Sequence, residues 1–343
     1  MSFRNKILLI YTGGTIGMQK KPGEETLIPF DFSTIQEQIP ELKHINKQID
    51  SISFEHPIDS SNTRIEHWQK MAKIIEDNYE DYDGFVVLHG SDTMAYTASA
   101  LSFMLENLSK PVILTGSQLP IGDLRTDAKE NIITSIEIAG SYKNEKPIVP
   151  EVAIYFEFKL LRGNRTTKLS TDDFNAFDSP NYNPLAKSGV YLKFYEHRIL
   201  TPSSGIFNVQ YNMNPNVIVY KIHPGIQEAH FRYMLETPDL KAVILETYGA
   251  GNALTEKWFL ESLKKAIKKN IHIINISQCL EGSISPYKYE TGQKLMKIGA
   301  FNAKDMTIEA AVTKMMYLLE KKLSKKSLKK AFERSLKGEI YAD

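Results

Sequence analysis

The sequence predicts an α/β protein of two domains, a larger N-terminal one built on a mostly parallel sheet flanked by helices and a smaller C-terminal α/β domain. Three observations predict it. The chain has 343 residues, enough for two cores. Short apolar runs alternate with stretches of helical periodicity, the pattern of βαβ units. Between them, residues 182–215 are rich in Pro, Asn, Ser and Gly with weak periodicity, which places a connection there. The expected layout is an N-terminal domain over 1–195, a linker over 196–215, and a C-terminal domain over 216–343.

The first strand is expected at residues 6–11, where Ile7 to Ile10 have the length and branching of a buried parallel strand. It runs into Thr12-Gly13-Gly14-Thr15-Ile16-Gly17. The glycine spacing fits neither the dinucleotide fingerprint nor the P-loop, which also needs Lys followed by Ser or Thr. Glycine at Gly13, Gly14 and Gly90 allows a sharp bend and a close backbone approach to a ligand.

The next legible element is a helix start, where Thr63 and Glu66 have capping-box spacing and Ile65, Trp68, Ala72 and Ile75 then share one face. Asp59-Ser60-Ser61 lies in the loop just before it. That loop suits a substrate carboxylate, and composition alone leaves an ordinary turn open.

A second strand and turn follow at Phe85 to Leu88 and His89-Gly90-Ser91-Asp92-Thr93, and a third at Val112 to Leu114 with Thr115-Gly116-Ser117-Gln118. In an open α/β sheet such strands end at one edge, and ligands sit outside their carboxyl ends. Thr15 is therefore a candidate nucleophile, Ser91 and Asp92 supply a second hydroxyl and a carboxylate, and backbone N–H groups near Thr115 and Gly116 can line the same crevice. Lys168, closing Arg162-Gly163-Asn164-Arg165-Thr166-Thr167-Lys168, can pair with Asp92 and serve in proton transfer. A further strand is expected at residues 152–156.

In the second domain, Val217 to Ile222, Ala242 to Leu245 and Ile271 to Ile276 read as strands and Glu256 to Lys268 as a helix. Near the end, lysines from Lys321 to Lys330 interleave with Leu323 and Leu328, which reads as the solvated face of terminal helices, with Ser324 as a cap and Gly338 as a stop.

Charge and composition exclude several function classes. Lys plus Arg is 42 against 41 for Asp plus Glu, so no overall field favours nucleic acid or an anionic membrane. The partner expected is a small molecule. The eight histidines are scattered, with no H-E-x-x-H and no Cys/His ligand spacing, which argues against a zinc hydrolase. The single cysteine, Cys279, allows no intrachain disulfide, and neither a secretory signal nor a membrane-length apolar stretch is visible. A cytoplasmic protein is expected.

Taken together, Tyr11-Thr12-Gly13-Gly14-Thr15-Ile16-Gly17-Met18, Gly84 to Met94, Arg162 to Lys168, Tyr248-Gly249-Ala250-Gly251-Asn252 and Gln278-Cys279 resemble the bacterial type I L-asparaginase family, over nearly the whole chain. The resemblance implies hydrolysis of L-asparagine to L-aspartate and ammonia without a metal or organic cofactor. It implies Thr15 as nucleophile, Ser91, Asp92 and Lys168 as a second triad in which Ser91 replaces the family's usual threonine, and Asp59, Ser60 and Ser61 as binders of the substrate's α-amino and α-carboxylate ends. It also implies that Asn252 reaches a neighbouring subunit's site, in a homodimer or homotetramer. Two positions depart from the pattern. Leu27 stands before Ile28-Pro29 where the family's mobile loop carries a tyrosine, so activity is reduced or the first proton passes through water, Ser91 or Lys168. Glu246 stands where some members have an allosteric arginine, and a carboxylate cannot recognise another carboxylate. A glutaminase-asparaginase of the same fold and a non-catalytic amino-acid sensor remain as alternative functions.

Overall fold

Apolar runs bounded by glycine or proline need both faces covered, and in the computed structural model they form the inner strands of two parallel arrays. The structure describes residues 6–20, 27–29, 39–285 and 290–341. Two compact units result, Met1–Tyr211 and Asn212–Asp343.

The first unit is built on an eight-stranded sheet. Its strands are β1 (Lys6–Gly13), β2 (Gln48–Ile58), β3 (Gly84–Leu88), β4 (Val112–Thr115), β5 (Val152–Phe156), β6 (Lys159–Arg162), β7 (Ala186–Lys187) and β8 (Lys193–Phe194), in the spatial order β8-β7-β6-β5-β4-β3-β1-β2. From β2 to β5 all neighbours are parallel, and β5 to β8 are antiparallel. After β1 the chain builds outward on one side with β2, then returns to the other side with β3 and β4. The reversal of direction falls between β1 and β3, the kind of position where a crevice opens beyond the strand ends.

Three helices cover this sheet: α1 (Ile65–Asp77), α2 (Met94–Met104) and α3 (Ala128–Ala139). In α2 every residue except Tyr96 is buried. Alanines and serines keep it narrow, so the turn at Gly163–Arg165 sits directly on it, and a Cβ built on Gly163 would lie 3.0 Å from that of Ala98. The expected Thr63 capping box is absent. Helix α1 begins at Ile65 with Arg64 as its cap, and His67 Nδ1 accepts the Arg64 N–H at 3.0 Å. The Thr63 hydroxyl pairs instead with Thr93, a partner from elsewhere in the chain.

Residues 196–211, where composition suggested a connection, are fastened to the first unit. Leu200 N–H donates to Glu151, whose carboxylate also takes Arg162 at 2.6 Å, and Asn208–Val209 pairs with Leu105–Glu106.

The second unit carries four parallel strands, β9 (Val217–Lys221), β10 (Ala242–Thr247), β11 (His272–Ser277) and β12 (Phe301–Asn302), in sequential order. Helices α4 (Glu228–Leu235) and α5 (Lys257–Lys268) place Phe231, Leu235, Phe259 and Leu263 against Val243, Leu245 and Ile273, with α6 (Glu290–Ile298) adding Leu295. Helices α7 (Ile308–Glu320) and α8 (Lys325–Glu333) complete it, and Ser324 caps α8 as expected. A fully buried ion pair ties the end of the chain down: Lys314 Nζ of α7 lies 2.5 Å from Glu339 and also donates to the Phe332 and Arg334 carbonyls. Burial pushes the Lys314 ammonium below its usual pKa, against the attraction of Glu339. Among the described residues, no helix is long and apolar enough to cross a membrane.

Candidate active site

Four turns leave the carboxyl ends of β1, β2, β3 and β4, and glycines let them touch. Gly13 lies against Ile58 at the end of β2, with φ at 131°, a conformation closed to most side chains. A Cβ built on Gly14 would lie 2.5 Å from the Gly90 nitrogen and Cα. One on Gly90 would meet the Ser60 hydroxyl at 2.6 Å, and one on Gly116 would meet the His89 carbonyl oxygen at 2.5 Å. The turn bearing Thr15 and the turn bearing Ser91 are thus in backbone contact through Gly14 and Gly90.

Side chains reinforce that seam. The Thr12 hydroxyl donates to the Leu88 carbonyl at 2.9 Å, joining the ends of β1 and β3. Tyr11 donates its phenol to the Gly17 carbonyl, and its ring leaves no room for a Cβ at residue 17, so the short helical turn Thr15–Gly17 is held on the strand. Burial pushes the Tyr11 phenol up to about 12, so this group stays a neutral donor. Thr15 itself is half-buried at the start of that turn.

Lys168 stands in the short strand Thr167–Lys168, paired with Phe177–Asp178. Its Nζ donates to the Ser91 hydroxyl at 2.8 Å and to Asp92 Oδ1 at 2.8 Å. The lysine side chain is 18% exposed and that of Asp92 61%, so the carboxylate reaches solvent and the ammonium is sheltered. A cation held between a hydroxyl and a carboxylate can stabilise charge on that hydroxyl and take part in proton transfer.

The turn after β2 holds Asp59, Ser60 and Ser61 in one short helical turn. Asp59 Oδ1 accepts both the Ser61 N–H and its hydroxyl, each at 2.9 Å, an Asx-type closure that leaves Asp59 and Ser61 exposed together. Ser60 is 4% exposed and rests on Gly90, and its carbonyl accepts the Thr93 hydroxyl.

Thr115 and Gly116 lie at the same edge, and the Thr115 side chain faces away from it. Its hydroxyl is fully buried and donates to the Tyr155 carbonyl at 2.8 Å, so only backbone at this position can address a ligand. Asn131 of α3 donates to the Gly116 carbonyl and to Asp127, and Asp127 accepts the N–H groups of Gln118 and Leu119. Asn252 belongs to the second unit, in a tight turn where Tyr248 and Asn252 exchange both backbone hydrogen bonds at 2.8 Å. Glu246 lies on β10, and its carbonyl accepts the Gln278 side chain.

Of the segment before Ile28-Pro29, where the family resemblance places a mobile loop, residues 21–26 lie outside the described residues. Leu27 is described by its backbone alone, which pairs with Lys20 in a two-stranded ribbon. Among the described residues no cluster of three or more His, Cys, Asp or Glu could hold a metal.

Several supporting residues escaped the sequence reading: Thr12, Thr93 and Asn131. Thr12 and Thr93 lie inside the two glycine-turn motifs, so a hydroxyl flanking each turn was the available signal.

Comparison with known proteins agrees with this architecture. Residues 6–200 match the family model "Asparaginase, N-terminal" and residues 216–332 match "Glutaminase/Asparaginase C-terminal domain". The chain is 41% identical to L-asparaginase 1 of Escherichia coli strain K12, covering 99% of each chain. The crystal structure of L-asparaginase I from Vibrio cholerae superposes with a TM-score of 0.88 at 38% identity, covering 98% of this chain and 99% of that one. The thermostable L-asparaginase from Thermococcus kodakarensis gives a TM-score of 0.90 at 29% identity, covering 98% of this chain and 100% of that one.

Proposed function

This chain belongs to the type I L-asparaginase family and is an amidohydrolase of that class, and from that premise we propose that it hydrolyses the side-chain amide of L-asparagine with Thr15 as nucleophile. The observation that carries the reading is Lys168 Nζ donating at 2.8 Å to both Ser91 and Asp92, in a turn that touches the Thr15-bearing turn through Gly90 and Gly14.

In the mechanism, the Thr15 hydroxyl oxygen attacks the amide carbon, and its proton passes into the Ser91, Asp92 and Lys168 network. Backbone N–H groups near Thr115 and Gly116 stabilise the developing oxyanion. The carbon–nitrogen bond breaks, ammonia departs with the proton returned by the network, and water then cleaves the ester to give L-aspartate and free Thr15. Asp59 and the turn at Ser60 and Ser61 hold the substrate's α-amino and α-carboxylate ends. With Leu27 in place of a phenol, the first proton transfer runs through water or the lysine network.

The first unit is the catalytic domain in this reading. Asn252 reaches a neighbouring subunit's site in a homodimer or homotetramer, and the protein works in the cytoplasm on a small amino acid, with no nucleic acid or membrane partner.

An ammonia-release assay on asparagine and glutamine tests the proposal. Wild type releases ammonia from asparagine, and Thr15→Ala loses about a thousandfold or more. If wild type and Leu27→Tyr both release none while asparagine still binds, the protein is an amino-acid sensor instead.

A further inference from the structure

His89 is fully buried immediately before the turn that carries Ser91 and Asp92, and both of its ring nitrogens are engaged. Nδ1 lies 2.8 Å from the Gly90 carbonyl oxygen and Nε2 lies 3.0 Å from the Thr97 hydroxyl of α2. The carbonyl can only accept, so the proton of that contact sits on Nδ1. In a neutral ring Nε2 is then bare and accepts, so Thr97 donates to it. The Thr97 oxygen in turn accepts the indole N–H of Trp68 on α1 at 3.0 Å, and an indole only donates. One assignment satisfies every member of the chain: Trp68 to Thr97 to His89 to the Gly90 carbonyl.

The Gly90 carbonyl and the Ser91 N–H are two ends of one rigid peptide plane. Holding the carbonyl therefore sets the direction in which Ser91 leaves the turn, and with it the hydroxyl that Lys168 meets. Gly90 cannot supply this restraint itself, since a residue without Cβ is free over most of φ/ψ space.

We propose that His89 is a positioning residue for the catalytic turn, locked by Thr97 and Trp68 in its Nδ1–H tautomer so that it clamps the peptide plane between Gly90 and Ser91. Only the kinetic arm of its test rests on the asparaginase reading.

The full chain labelled with ¹⁵N-histidine gives the tautomer directly. The His89 ring, identified by its loss in His89→Asn, shows a protonated Nδ1 and a bare Nε2 that stay unchanged from about pH 8 to about pH 5.5. A ring protonated at Nε2, or doubly protonated in that range, overturns the proposal. Amide exchange then reads the clamp whether or not asparagine is turned over. In Thr97→Val the amides of Ser91, Asp92 and Thr93 exchange about tenfold faster while those of β3 do not, and Thr97→Ser restores them. In the same variant kcat falls about threefold to tenfold with KM within about twofold, again recovered by Thr97→Ser. Exchange and kcat both unchanged in Thr97→Val overturn the clamp. Absence of ammonia release by wild type removes the asparaginase reading, and the tautomer and exchange results still decide this one.

Discussion

The Thr93 hydroxyl donates to the Ser60 carbonyl at 2.7 Å, so the turn that follows β2 is fastened to the turn that follows β3. Ser60 also lies against Gly90, and the two contacts together fix the height of Asp59 and Ser61 relative to Ser91. Thr93→Val keeps the shape and deletes the donor. We expect KM for asparagine to rise about fivefold to tenfold while kcat changes about twofold or less, because in the proposed mechanism the loosened turn holds substrate rather than reacting atoms. A fall confined to kcat would show that Thr93 serves the relay instead.

Lys168 shares its donors between a sheltered hydroxyl and an exposed carboxylate. Lys168→Met removes the charge at similar length and should lower kcat by about a hundredfold to ten-thousandfold with a smaller change in KM. Asp92→Asn keeps an acceptor for Nζ and should cost less. Steady-state ammonia release ranks the two, and equal losses would show that charge on Asp92, rather than the position of Lys168, is what matters.

Acid should weaken the fold through two imidazoles, fully buried His89 and half-buried His272. Burial pushes His89 down to about 4, and burial with the nearby Lys325 pushes His272 down to about 4. The unfolded chain binds these protons near the ordinary value of about 6.5 and the native state does not, so stability falls as pH drops from about 6.5 towards about 4 and levels off below. For fully buried His89 the loss is on the order of 3 kcal/mol. Denaturant midpoints at about pH 7 and about pH 5 check this. His272→Leu should lose less on acidification than wild type, and an identical loss would show that the ring titrates normally.

The Lys314–Glu339 pair offers a different stability test, since both groups are fully buried and each has further partners. Glu339→Leu alone strands a buried ammonium and should destabilise the second unit by about 3–5 kcal/mol. Pairing it with Lys314→Met should recover most of that loss. Thermal unfolding of both variants decides whether the charge is needed at all.

The sequence made the crevice visible through its two glycine turns, because each follows an apolar run long enough to be a buried strand. Strand β2 was not visible, although it carries Asp59 to Ser61 at its end. It lies at the sheet edge, and Phe54 is its only buried residue, so Gln48–Ile58 has neither an apolar run nor a clean alternation. Lys168 could be paired with Asp92 on chemical grounds and with the help of family resemblance. The Trp68, Thr97 and His89 chain could not, since its links join two helices and a turn, and side-chain hydrogen bonds between distant elements leave no local signature. The Thr63 cap failed for the same reason: a hydroxyl from residue 93 competes for it.

Gly14 and Gly90 are pressed together so closely that neither tolerates a methyl group. For anyone reshaping this enzyme towards bulkier amides, that seam offers no room to part the two turns, and on the proposed mechanism changes there would misalign Thr15 and Ser91 at once. On the substrate-binding role proposed for Asp59 and Ser61, selectivity would be recut there instead, where exposed side chains leave slack for redesign.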